Sequence, residues 1–198
     1  MGKKVLQKGS ARLKFLYRVG KYLSKHTKRL LASALIQCYF DYSCSMWYSS
    51  LTQKTKKKLQ VLQNKIIRYI LNLDNRTHIG FSEFKEIGWL PVDLRVAQIK
   101  LNHFHRIINN AAPSYLKEQV TFLNTIHSHS TRYSIRGVHI PRVNTNGQNS
   151  FLYTACKLWN NIPLHFKNMQ EISHFKRGVK GWFFGQMERD ENSVFMYY

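Results

Sequence analysis

The residues of this chain best suited to do chemistry are cations. Over positions 54–73, KTKKKLQVLQNKIIRYILNL, five of them share one helical face. On a helix of about 3.6 residues per turn, Lys54, Lys57, Lys58, Lys65 and Arg68 fall within an arc of about 100°. Leu59, Leu62, Ile66, Tyr69, Ile70 and Leu73 occupy a similar arc on the opposite side. One face packs and the other presents positive charge. Charged outer faces are ordinary, but here no Asp or Glu is interspersed and the surrounding sequence is also basic. Lys and Arg release condensed counterions when they meet phosphates. Five such contacts give a slope of log affinity against log salt of about −4 to −5. Phosphate contacts carry no sequence information, so weak sequence preference is expected. Arg12, Lys14, Arg18, Lys21, Lys28 and Arg29 lie upstream and extend the cationic track.

Other chemistries find less support. Nucleotide transfer needs metal ions held by clustered carboxylates. The chain has no aromatic-x-Asp-Asp turn, and its adjacent acids, Asp190 and Glu191, lie in the tail. No catalytic residue is predicted. His103/His105 and His127/His129 are both His-x-His pairs. On a helix, positions i and i+2 point about 200° apart, so the first pair cannot easily share an ion. His127 and His129 could do so on a strand. No Cys or acid stands at zinc-site spacing from either, Cys38 and Cys44 diverge, and no metal site is predicted. There is no Gly-x-Ser-x-Gly elbow, and Cys156 beside Ala155 reads as a buried thiol. Tyr17, Tyr39, Tyr42, Trp47 and Tyr48 could stack on bases, but their helical spacing reads first as core or rim packing. Trp89 and Trp159 are assigned to packing.

These side chains need helices to hold them. Residues 1–11 are basic, lack a periodic apolar face and are expected to form a flexible lead. Helical spacing returns over 12–22. After a cap at Ser24 or Thr27, a second helix runs to about Tyr48 through Leu31, Leu35, Cys38, Tyr42 and Met46. The helix over 54–73 follows. A short helix is expected around 82–87, and one from Pro91 to about Ile108, where Pro is tolerated in the first turn. Tyr133 to Val143 leans towards strand, with Pro141 confining it to an edge. Ser150 caps a helix through Trp159, and Ser173 a last one through about Phe184. Residues 185–198 read as a frayed tail.

The balance of the whole chain agrees with a polyanionic partner. Its 198 residues carry 31 Lys and Arg against 10 Asp and Glu, a net charge of +21. Residues 1–73 hold 16 of the cations and a single acid, Asp41, a balance of +15. With 43% hydrophobic and 14% aromatic residues the chain can bury a core. Three cysteines without framework spacing suit a reducing, intracellular compartment. No apolar run approaches the roughly 18 residues of a membrane span. The N-terminus is unlike a signal peptide, and Leu6 stands where myristoylation wants Ser or Thr.

Seven phrases in order carry a resemblance: RLKFLYR at 12–18, RLLASALIQCYFDYSCSMWY at 29–48, KKKLQVLQNKIIRYILNLDNRTHIG at 56–80, FKEIGWLPVDLRV at 84–96, APSYL at 112–116, IPRVNTNGQNSFLYTACKLWNNIP at 140–163 and FKRGVKGWF at 175–183. The set resembles the C-terminal part of jockey-like non-LTR retrotransposon reverse transcriptases, over about residues 12–184. Tyr39 departs from the family pattern, which has proline there. The resemblance implies a mainly α fold, with a helical thumb-like domain over 12–110. A smaller α extension with a short irregular β segment follows over 111–184. It also implies a fragment that grips an RNA/DNA primer–template through its backbone while a missing palm does the chemistry. The chain alone would then be no enzyme and hold no cofactor, since Mg²⁺ belongs to the palm. Its partners would be the primer–template and the remainder of the polymerase, with no membrane and no small-molecule substrate, and a retroelement origin implies the nucleus. The alternatives are a basic amphipathic protein of the membrane surface, a retained host nucleic-acid-binding module, and an accessory nuclease.

Overall fold

A computed structural model describes residues 1–126 and 136–189. The fold is mainly α, and among the described residues there is no sheet. The chain divides into two compact units. One is Met1–Val96 with the chain from Phe183, and the other is Ala97–Trp182.

The first unit is built on two long helices, α1 (Gly2–Val19) and α5 (Gln53–Leu71). Between them lie α2 (Lys25–Ala32), a π-helical stretch Ser33–Gln37, α3 (Cys38–Asp41) and α4 (Cys44–Trp47). Ser24 starts α2, its Oγ accepting from the Thr27 N–H at 3.1 Å. Thr52 does the same for α5 through Thr55 N–H. Asn72 ends α5 at φ 58°, a left-handed cap that Asn tolerates. α6 (Phe81–Ile87) opens with Glu83 Oε2 accepting the Gly80 N–H at 2.7 Å.

α1 and α5 run parallel. Gly2 faces Thr55 and Leu51, Gly9 faces Leu62, and Gly20 faces Tyr69. At Gly9 a Cβ would stand 2.9 Å from Leu62 Cδ2 and 3.4 Å from Ile36 Cγ2, so the missing side chain sets how closely the helices approach. Val5, Gly9, Leu13 and Leu16 are buried against this seam. α5 contributes Leu59, Leu62, Ile66, Ile67 and Ile70 to the same core. Two buried glutamines on its flank fix the chain before the next helix. Gln63 Nε2 donates to the Leu90 carbonyl and Gln60 Oε1 accepts from Val92 N–H, both at 2.9 Å.

The second unit takes in the later part of α7 (Val92–Ile108), then α8 (Ser114–Glu118), α9 (Leu123–Ile126), α10 (Phe151–Asn161), α11 (Leu164–Lys167) and most of α12 (Ile172–Arg189). Its core is aromatic. Trp159, Phe104 and Phe175 are fully buried, and the Trp159 ring lies 5.6 Å from Phe104 and 6.0 Å from Phe175. Trp159 Nε1 donates to the Arg136 carbonyl at 2.9 Å. Asn160 pairs with the backbone of Val138 in both directions, at 3.0 and 2.8 Å. Cys156 is buried, and burial pushes its thiol up to about 11.

Several expectations are corrected here. Residues 2–11 form no loose lead; they are the first half of α1. Gly2 and Gly9 hold core positions in it, which a search for apolar side chains passes over. The helix expected to run to Tyr48 stops at Asp41. Ser43 is left-handed at φ 48°, and Trp47 Nε1 donates to the Tyr42 carbonyl across the break. α12 begins at Ile172, ahead of Ser173, whose hydroxyl hydrogen-bonds Glu171. Residues 185–189, expected in the tail, are helical, and 190–198 lie outside the described residues. So do His127, His129 and 133–135 of the β-leaning stretch; the rest of that stretch makes one isolated antiparallel bridge, Val138 with Phe122. The division between the two compact units falls between Val96 and Ala97, within α7.

Candidate nucleic-acid interface

Between α1 and α5 runs an open groove of about 400 Å³. Leu6, Val61 and Leu62 line it with apolar surface, Ser10 stands on the α1 side, and Lys54, Lys57, Lys58 and Lys65 line it from α5. All four lysines are exposed. From Lys54 to Lys65 the row extends about 16 Å at 1.5 Å per residue. Neither helix contains an acid. Asp41, the single carboxylate among the first 73 residues, is occupied elsewhere in the unit. It accepts Arg95 Nη2 at 2.8 Å, Arg95 Nε at 3.1 Å and Gln37 Nε2 at 3.1 Å. Like charges held side by side in this way suit a ligand that neutralises them, and Asp41 is committed to another cation.

Of the eleven cations named from the sequence, Lys21 is exposed in the turn Gly20–Tyr22 that follows α1, and the structure sorts the other ten. Lys54, Lys57, Lys58 and Lys65 share the groove. Arg68, the fifth of the stripe, is half-buried, and its Nε donates to the Thr77 carbonyl at 2.8 Å. Lys28 is buried, hydrogen-bonded to Asn72 Oδ1 and placed over the Tyr69 ring at 5.1 Å. It is a structural cation and is withdrawn from the interface. Arg29 is half-buried and donates to the Ile87 carbonyl at 3.2 Å. Lys14 is exposed one turn beyond Ser10, on the groove flank of α1, and Arg18 is exposed one turn further. Arg12 is exposed on the other flank. It lies one turn from Lys8, whose ammonium sits over the Tyr39 ring of α3 at 5.5 Å. The groove thus gathers four of the ten, Lys14 and Arg18 continue it, and Arg12, Lys28, Arg29 and Arg68 do not join it.

Reasoning from sequence passed over Leu6, Ser10 and Val61, which shape the groove, and exposed Lys3, two turns before Ser10 on the same flank. The signal was present in the spacing of Val5, Gly9, Leu13 and Leu16, at intervals of four, four and three. Of the aromatics, Tyr48 is buried with Lys56 over its ring at 5.1 Å, and Tyr42 is exposed. Tyr17 meets Tyr69 edge to face at 5.0 Å and 69°. Burial raises the Tyr17 phenol above its ordinary value, opposed by the Arg68 charge, and burial raises Tyr69 too.

His103 is exposed and His105 buried, on diverging faces of α7. Among the described residues, no three His, Cys, Asp or Glu side chains gather where they could hold a metal. Nor, among these residues, is any helix long and apolar enough to cross a membrane. No protein-family model matches this chain, and comparison with curated proteins and with solved structures finds no match either.

Proposed function

We propose that this chain is a nucleic-acid-binding module that grips the phosphate backbone of an RNA/DNA primer–template along the α1–α5 groove. On this reading it is a non-catalytic thumb and post-thumb piece of a jockey-like non-LTR reverse transcriptase, and the remainder of the polymerase supplies the carboxylates and Mg²⁺. The observation that carries it is the groove, with four exposed lysines along one wall and no acid on either helix. Phosphates match that arrangement because each lysine is a mobile point charge that needs no fixed partner geometry.

The test is the salt dependence of binding to an RNA–DNA duplex, read by fluorescence anisotropy, for the chain and for its Lys54→Gln/Lys57→Gln/Lys58→Gln/Lys65→Gln variant. Four phosphate contacts contribute about −3.6 to the slope of log affinity against log salt. The variant is expected to lose that increment, and an unchanged slope overturns the groove. Tighter binding to anionic vesicles than to duplex would overturn the nucleic-acid reading in favour of a membrane-surface role.

A further inference from the structure

The groove has an aromatic residue along its line. Ser10 lines the groove from α1, and Tyr17 lies two turns further on the same flank, about 10 Å along the axis at 1.5 Å per residue. On α5, Tyr69 stands one turn beyond Lys65. The two rings meet edge to face at 5.0 Å, so Tyr17 is held by a buried neighbour while 49% of its surface stays open to solvent. Tyr69 is itself fixed. It is 4% exposed, packs over Gly20, and carries the Lys28 ammonium over its ring at 5.1 Å. An aromatic ring braced on one side and open on the other is preorganised. It has already given up the side-chain freedom that stacking would otherwise cost.

We propose that Tyr17 is a base-stacking platform, and that the α1–α5 groove selects nucleic acid carrying an unpaired nucleotide beside the gripped backbone. This rests on the nucleic-acid reading of the groove and adds a substrate class to it. Lysine contacts alone bind any phosphate chain equally. Every base offers a π-face, so a stacking residue adds preference for unstacked bases without sequence preference. A stacked strand advances about 3.4 Å per nucleotide. The lysine row therefore spans about five nucleotides, with Tyr17 placed to receive a base that leaves the stack.

The test compares a blunt RNA–DNA duplex with the same duplex bearing a short single-stranded overhang that contains 2-aminopurine. The chain is expected to bind the overhang probe at least about fivefold more tightly, and to change 2-aminopurine fluorescence on binding. Tyr17→Leu keeps an apolar contact with Tyr69 and should erase the preference while retaining duplex affinity. Tyr17→Phe and Tyr17→Trp should keep it. Equal affinity for the two probes, no fluorescence change with the unaltered chain, or a preference that survives in Tyr17→Leu each overturns the proposal. The fluorescence arm needs no variant, so it decides the matter even if Tyr17→Leu unfolds. The four-lysine variant separates the two readings. If its affinity and salt slope are unchanged, the groove itself falls; if they drop while the overhang preference is absent, only the tyrosine falls.

Discussion

The four lysines that line the groove and three buried basic residues of the second unit have the same chemistry and opposite placements. In the first unit Lys54, Lys57, Lys58 and Lys65 stand in solvent beside one another, lining an open groove. In the second, Lys100 is 3% exposed, Lys167 5% and His105 1%. Each of these buried groups has a neutral oxygen to donate to: Lys100 Nζ to Thr154 Oγ1 at 2.7 Å, Lys167 Nζ to the Asn160 carbonyl at 3.1 Å, and His105 Nε2 to the Met169 carbonyl at 2.6 Å. Burial lowers the proton affinity of Lys167 and His105, as desolvation of a cation must. A lysine whose donors are directed at protein oxygens holds structure, and one left in water beside others of its sign has its charge open to a ligand. Lys28, in the first unit, belongs by this criterion with the buried set. Net charge therefore overstates an interface, and the cations that matter are those the fold leaves unspent.

If that division is right, damage to the second unit's core should change stability and spare the salt response of the groove. The largest effect is expected at Trp159, which is fully buried between Phe104 and Phe175 and donates to the Arg136 carbonyl. Trp159→Ala should cost about 3–5 kcal/mol in urea unfolding, with the salt slope of whatever folded protein remains unaltered. A changed slope would mean that the second unit supplies phosphate contacts. The next effect belongs to the first unit. A Cβ at Gly20 would overlap the Tyr69 phenol, so Gly20→Ala must displace that ring. The expected cost is about 1–3 kcal/mol, read from thermal unfolding. Because Tyr69 braces Tyr17, the same variant should also weaken overhang preference while leaving the lysine contribution to the slope intact.

How far the sequence reveals this division depends on which kind of information each residue needs. α5 was legible from Lys54 to Leu71, since its apolar and cationic arcs are set by local periodicity, but its stop at the left-handed Asn72, short of the expected Leu73, was not. α10, capped by Ser150, was legible for the same reason. The first half of α1 was not, because the core there is made by the absence of side chains at Gly2 and Gly9. Lys28 and Arg68 read as free cations because their partners, Asn72 and Thr77, are brought to them only by the left-handed turn that ends α5. Arg12 and Lys14, two residues apart, fall on different flanks of α1, and which flank faces α5 is decided by packing. The boundary between the units leaves no mark in the sequence, as helical spacing continues through Val96 and Ala97.

A smaller effect sharpens the contrast through pH. His105 is held below the ordinary histidine range, chiefly by burial and further by the Arg136 charge, while its bond to the Met169 carbonyl opposes both. Its ring stacks on Phe175 at 4.2 Å, the Asn109 carboxamide lies 2.9 Å from Nε2, and Nδ1 has no partner among the described residues. His103 is lowered in the same sense by desolvation and by Arg106 and Lys176. In the unfolded chain both imidazoles take up a proton near pH 6.5. In the folded chain they do so only at lower pH, so below about 6.5 the unfolded state binds more protons and stability falls. The loss should begin as pH drops through about 6.5 and level off once the folded imidazoles have also been protonated. Urea midpoints measured from pH 8 down to pH 5 should show that decline, and His105→Gln should flatten much of it. A midpoint that holds or rises across this window would mean that His105 is charged in the folded unit.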